Sequence, residues 1–273
     1  MSPKELTVIE HMEELRKRLF FVAIFFVIAL FIGFYTAKPI IRSIQRSYLA
    51  NNFSMNAFSP ADPLTVYLQM TMVVAAVIVS PILLYQLWAF ITPGLHETER
   101  KATLKYIPYA FLLGMGGMAF AYFVLFPFIM RFMNDLSSDL NITQTIGINE
   151  YFAFLFKLVV PFGLLFQLPV VTLFVARLGV LNPSLMVKFR KYAYFALIVI
   201  SVLLAPPDVV SNVIIAIPLF ILYEVSIVIS RIGYKKYEKA EAERAKQEEE
   251  RERELKVEEL LEMQRRQMEQ INQ

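Results

Sequence analysis

The 273-residue sequence contains no cysteine and only two histidines, His11 and His96. Without thiols, disulfide scaffolds, thiol nucleophiles and thiolate metal centres are excluded. Two histidines leave little for zinc or haem ligation, so no metal or cofactor is expected. G-x-S-x-G, Walker A and G-x-G-x-x-G sequences are absent as well, so nothing points to an enzyme. Charge is also scarce where it would be expected. Charged residues make up 19% of the chain and hydrophobic ones 57%, whereas a soluble domain is about 25% charged.

The charge that exists is unevenly spread. Residues 231–273 hold 11 of the 27 basic and 12 of the 24 acidic residues. Only 28 charged residues remain in the first 230, about 12% of that stretch. The chain reads as an apolar membrane body followed by a charged tail. A net charge of +3, with no basic patch, leaves nucleic-acid binding without an electrostatic footprint.

A spanning helix takes about 20 apolar residues at about 1.5 Å each, to cross a hydrocarbon core about 30 Å thick. Spans are expected at about 19–37, 64–90, 106–132, 151–178, 192–205 and 209–230. The last two are short and separated by Ala205-Pro206-Pro207-Asp208, a turn signal. Residues 1–18 are expected to form an amphipathic cytoplasmic helix, with a capping box at Ser2-Pro3-Lys4-Glu5 and Leu6, Ile9, Met12, Leu15 and Leu19 along one face. Glu10 and Glu14 sit one turn apart on its polar face, with Arg16 and Arg18 beyond them. Acids in the leader and the lack of an A-x-A-like site argue against a cleaved signal peptide. Ile40, Ile41, Ile44 and Tyr48 suggest a second amphipathic segment lying on the membrane.

Basic residues set the expected orientation. Lys4, Arg16, Lys17 and Arg18, then Arg100, Lys101 and Lys105, then Arg177, Lys188, Arg190 and Lys191, and finally the tail, would share the cytoplasmic side. Both termini are thus expected inside. Pro81, Pro108, Pro127, Pro161, Pro169 and Pro218 fall in or near spans, which suggests bent helices forming a concave bundle. The fold expected is all-α and polytopic, with six spans. The tail's Glu–Lys/Arg spacings of three and four support a solvated helix. Its apolar positions do not sustain heptads, so a frayed helical or disordered appendage is expected rather than a strong coiled coil.

Several motifs together resemble one family. His11-Met12-Glu13-Glu14-Leu15-Arg16-Lys17-Arg18-Leu19 is similar to the H-L-x-E-L-R-x-R-L opening of TatC, the polytopic core of the twin-arginine protein translocase. Phe90, Pro93-Gly94-Leu95 and Glu99-Arg100 resemble that family's first cytoplasmic loop. Phe162-Gly163, Phe166-Gln167 and Leu168-Pro169 resemble its fourth-helix motif. Ala205-Pro206-Pro207-Asp208, with Ala216-Ile217-Pro218 and Tyr223-Glu224, resembles its last outer turn and sixth helix. The likeness runs in order over roughly residues 6–230 and omits the tail.

The resemblance implies a non-enzymatic receptor in the bacterial cytoplasmic membrane. It would bind twin-arginine signal peptides of folded cargo and recruit single-span TatA/TatB-type subunits, within lipid and as part of a larger homo-oligomeric assembly. Transport would be driven by the proton-motive force. Glu14 and Glu99 would be the recognition acids, since paired guanidiniums call for carboxylate forks. Arg16, Phe90 and Arg100 would lie beside them, with Leu15 and Pro93 as shape determinants. Pro39, Pro206 and Asp208 would be structural or assembly positions. Gln167 stands where the family often has a buried glutamate, so it cannot titrate; it is read as either a partner-helix contact or local backbone repair. Lys157 is read as snorkelling outward and Glu224 as one half of a structural pair. A small-solute or ion transporter is the alternative function, but the midplane offers little beyond Gln167 and no internal repeat is evident.

Overall fold

The computed structural model describes residues 8–47, 55–91, 104–143 and 145–271. Helices dominate. Helix α1 covers Val8–Gln45 and α2 covers Asp62–Ile91. Helices α3 (Tyr106–Phe120) and α4 (Phe126–Asp139) flank a π-helical turn, Ala121–Leu125. Then come α5 (Ile148–Leu165), α6 (Leu168–Arg177), α7 (Pro183–Lys188), α8 (Arg190–Leu204) and α9 (Val209–Ile271). Two short strands, β1 (Met55–Asn56) and β2 (Ile146–Gly147), pair in parallel, Met55 opposite Ile146. They join the segment before α2 to the segment before α5, a link that the all-α expectation did not contain.

Five helical stretches are long and apolar enough to cross a membrane: Met12–Gln45, Asp62–Phe90, Tyr106–Asp139, Ile148–Arg177 and Val209–Gln264. Their most apolar windows are only 11 to 39% buried. Phe31, Leu112, Phe123, Phe195 and Ile221 all face outward. Apolar surface on that scale is tolerable against lipid and not against water. Helix α8 is apolar but only 15 residues long, about 22 Å.

The proline positions explain the irregularities. Proline lacks the N–H that would bond four residues back and crowds that carbonyl. Before Pro127 the helix widens into its π-helical turn, and the Phe126 amide reaches back to the Ala121 carbonyl. Pro81 frees the Val77 carbonyl, and the Ser80 hydroxyl donates to it at 2.8 Å. The expected fourth span is divided at Phe166–Gln167, just before Pro169, where the amides of Val170 and Val171 both donate to the Gln167 carbonyl.

Three expectations are corrected. Helix α1 does not stop near residue 37 but runs through Pro39 to Gln45. Ile40, Ile41 and Ile44 pack against the main core instead of lying apart on the membrane. Proline's fixed φ suits a helix, and burying three isoleucines outweighs one lost hydrogen bond. Pro39 is consequently an exposed residue within a helix, not a loop proline. The tail is likewise continuous helix to Ile271. It prolongs a helix already nucleated inside the bundle, and no proline and no glycine after Gly233 interrupts it. Residues 231–271 extend about 60 Å. Lastly, the third expected span does not end near residue 132 but continues to Asp139, so Arg131 lies within α4.

The core is aromatic and close-packed. Phe126, Phe152, Phe162, Ile129, Leu158, Ile215 and Leu219 are almost fully buried. Phe120, Phe162 and Phe166 stack with centroids 5.7 to 6.3 Å apart. Small residues let helices approach. A Cβ on Gly33 would stand 2.6 Å from the Thr71 carbonyl oxygen of α2, and one on Gly117 would stand 2.6 Å from Phe166. Gly179, after α6, has φ +74, and a Cβ there would strike the Tyr237 ring. At the base of the tail, the Glu241 charge and burial push the Tyr237 hydroxyl above its ordinary range.

Candidate functional site

Helix α1 presents its two acids to different surroundings, because adjacent helical residues point about 100° apart. Glu13 faces solvent, within 3.3 Å of the Lys17 ammonium and 3.8 Å of the Arg16 guanidinium. Glu14 faces α2. Its side chain is 27% exposed, against 50% for Glu13. One turn on, Arg18 donates from Nε at 3.0 Å and from Nη2 at 2.5 Å to the same Glu14 oxygen, Oε1. Its third nitrogen, Nη1, donates to Oε1 of Gln86 on α2 at 3.1 Å. The outcome is a carboxylate held at the α1–α2 seam by a guanidinium that itself bridges the two helices.

Other residues expected at this site are placed as follows. Leu15 is half-buried and Arg16 exposed. Phe90 is half-buried near the end of α2. Pro93, Glu99 and Arg100 lie outside the described residues, as do His96 and the Ser2–Glu5 capping box. Glu14 and Phe90 thus belong to the paired ends of α1 and α2. Two participants were given no role at the site from the sequence. Arg18 had a signal, its i,i+4 spacing from Glu14. Gln86 had a weaker one, a lone amide between Leu84 and Trp88 in an apolar run.

A second charged cluster joins α8 and α9. Arg190 sets Nε 2.9 Å from Oε1 of Glu224 and donates from Nη2 to Oε2 at 2.9 Å. The Tyr194 hydroxyl donates to Oε1 at 2.5 Å. Next to it, the Tyr223 hydroxyl donates to the Met186 carbonyl at 2.9 Å, tying α9 to α7. Glu224 is therefore a structural pair with both oxygens engaged.

The remaining positions are quickly placed. Gln167, at the break between α5 and α6, lines an apolar cavity of about 220 Å³ with Trp88, Tyr106 and Phe174. Its amide nitrogen lies 3.1 Å from where a Gly114 Cβ would be, so the side chain reaches across to α3. Arg177, closing α6, stacks over the Tyr106 ring at 5.1 Å. Asp208 accepts from the Ser211 amide at 2.7 Å and so caps α9; Pro206 is half-buried in the turn before it. Lys157 is exposed, nine residues into α5. Among the described residues no three His, Asp or Glu side chains converge as a metal site.

Comparison with known proteins supplies the family. Residues 10–218 match the model of TatC, the Sec-independent protein translocase protein. The chain is 50% identical over 242 residues to TatCy of Bacillus subtilis, covering 89% of this chain and 95% of that protein. It is 48% identical to TatC of Halalkalibacterium halodurans, covering 88% and 95%. Among solved structures, the crystal structure of the twin-arginine translocase receptor TatC superposes with a TM-score of 0.73 at 36% identity, over 82% of this chain and 99% of that one. The match joins most of the sequence to one helical architecture, and this chain belongs to the TatC family of Sec-independent protein translocase components.

Proposed function

We propose that this chain is the receptor subunit of a twin-arginine translocase, a multi-pass protein of the bacterial cytoplasmic membrane with both termini inside. In this reading it has six spans: the five long apolar helical stretches and α8. At about 22 Å, α8 spans only where the bilayer thins around it. Residues 1–18 form the cytoplasmic leader, 19–230 the membrane domain and 231–273 the cytoplasmic tail. The paired ends of α1 and α2 then face the cytoplasm, where a signal peptide arrives.

The twin arginines of the signal peptide are bound by Glu14 and Glu99. Leu15, Arg16, Phe90, Pro93 and Arg100 complete the surface. The observation that carries this reading is the placement of Glu14. Of the two neighbouring acids it alone is turned from solvent to the α1–α2 seam, where a carboxylate is less screened and binds a guanidinium more strongly. Single-span TatA/TatB-type subunits would pack on the lipid-facing surface near Gln167, whose amide supplies hydrogen bonds without titrating. Pro39, Pro206 and Asp208 serve the fold; Asp208 does so as a helix cap.

Site-specific crosslinking tests this. A photoreactive residue at Leu15 should capture a twin-arginine signal peptide, and capture should fall away when the peptide's arginines become lysines or when Glu14 becomes alanine. Equal capture of the lysine peptide would mean that the surface reads charge alone, and undiminished capture by the alanine variant would remove Glu14 from its role.

A further inference from the structure

We infer that Arg18 is a built-in competitor for Glu14, occupying the recognition carboxylate until a guanidinium of the signal peptide displaces it. The inference rests on Glu14 being a recognition acid and adds the residue that sets its threshold. Both donors that Arg18 offers Glu14 converge on Oε1. An incoming arginine needs both carboxylate oxygens for a bidentate fork. With Oε1 doubly occupied it meets only half of the acceptor, so full engagement requires Arg18 to withdraw.

The exchange is chemically balanced. Ligand and competitor carry the same group, so one guanidinium–carboxylate contact replaces another. Arg18 also has somewhere to remain, because Nη1 already lies on Gln86 at 3.1 Å. Its cation is left with an acceptor on α2 when Glu14 is taken. What opposes exchange is proximity: Arg18 is one turn away on the same helix, which gives it a high effective concentration. Apparent affinity is reduced by the fraction of time that Glu14 is open. A lysine ammonium is a point charge without the planar fork, so the free Oε2 can serve it while Arg18 stays in place. Occupancy by Arg18 therefore lowers affinity most for a ligand that needs the full fork.

The test titrates a fluorescent twin-arginine signal peptide, and its paired-lysine counterpart, against the full-length protein in lipid nanodiscs. Arg18→Gln should tighten the arginine peptide about tenfold, the scale of one charge-assisted hydrogen bond. It should tighten the lysine peptide by less, because one free oxygen already serves an ammonium. Arg18→Lys keeps the charge but loses the fork, and should give a smaller shift in the same direction. Gln86→Ala removes the second acceptor and should leave binding unchanged or weaker. In a Glu14→Gln background, Arg18→Gln should add nothing.

Unchanged or weakened binding in Arg18→Gln, with its melting temperature intact, overturns the inference and makes Arg18 a positioning residue. A gain in Arg18→Gln with none in Arg18→Lys overturns it too, since net charge alone would then be responsible. If Glu14→Gln itself leaves binding untouched, the receptor site is misassigned, and that failure is separate.

Discussion

The two arginine–glutamate pairs differ in how much of the carboxylate they consume. At the α8–α9 junction, Arg190 contacts both oxygens of Glu224, donating to one of them, and Tyr194 donates a second hydrogen bond. That acid joins two helices and has both oxygens engaged. At the α1–α2 seam, Arg18 is on the same helix as Glu14 and places both donors on one oxygen. Saturated pairs hold helices together, whereas a pair closed within one helix can open without separating anything. The same two residue types thus yield a fastening in one place and an exchangeable contact in the other.

Substitutions can break this distinction. The largest effect is expected from Glu14→Ala. Losing a fork of two charge-assisted bonds, about 1.5–3 kcal/mol each, should weaken signal-peptide capture roughly 100-fold or more. Melting temperature should stay unchanged. A parallel fall in melting temperature and capture would show the two pairs to be alike.

Gly117→Ala loosens the bundle without touching either pair. A Cβ there would stand 2.6 Å from Phe166 and 2.7 Å from the Phe162 carbonyl oxygen, and overpacking of this kind costs about 3 kcal/mol. Thermal unfolding should register the loss, while peptide capture by the folded fraction stays at the original level. Glu224→Ala should destabilise by about 2 kcal/mol. That lies between exposed and buried ion pairs, as its 40% exposure suggests. Adding Arg190→Ala should cost little more, because the partner is already lost. The smallest effect is expected in the tail. Leu260 is exposed on a solvated helix, and Leu260→Ala should shift stability by less than about 0.5 kcal/mol.

Much of the membrane body was legible as apolar length. Five of the expected spans coincide with long apolar helical stretches, and the Pro-Pro-Asp turn separates α8 from α9 where expected. Residues 40–44 were misread because the isoleucine pattern reports an apolar face without saying what covers it. The tail's helical spacing was legible but its continuity was not, because composition describes an isolated segment, whereas this one extends an anchored helix. The β1–β2 link left no trace, since two residues of strand carry no periodicity. Glu14 and Phe90 are proposed from family resemblance, and the pairing of Glu224 was expected from the cost of an acid inside a span.

The sequence by itself determined that this chain enters a membrane, where its helices lie and which few charges must be accounted for. Those properties follow from the transfer energy of each segment, which depends on local composition. Only the tertiary structure decided which carboxylate oxygens are occupied. Glu13 and Glu14 are adjacent and chemically identical, and both have a basic residue four positions on. Their difference arises because α2 packs against one face of α1 and brings Gln86 to Arg18. A contact between residues 68 positions apart is a property of helix packing, which no local pattern contains.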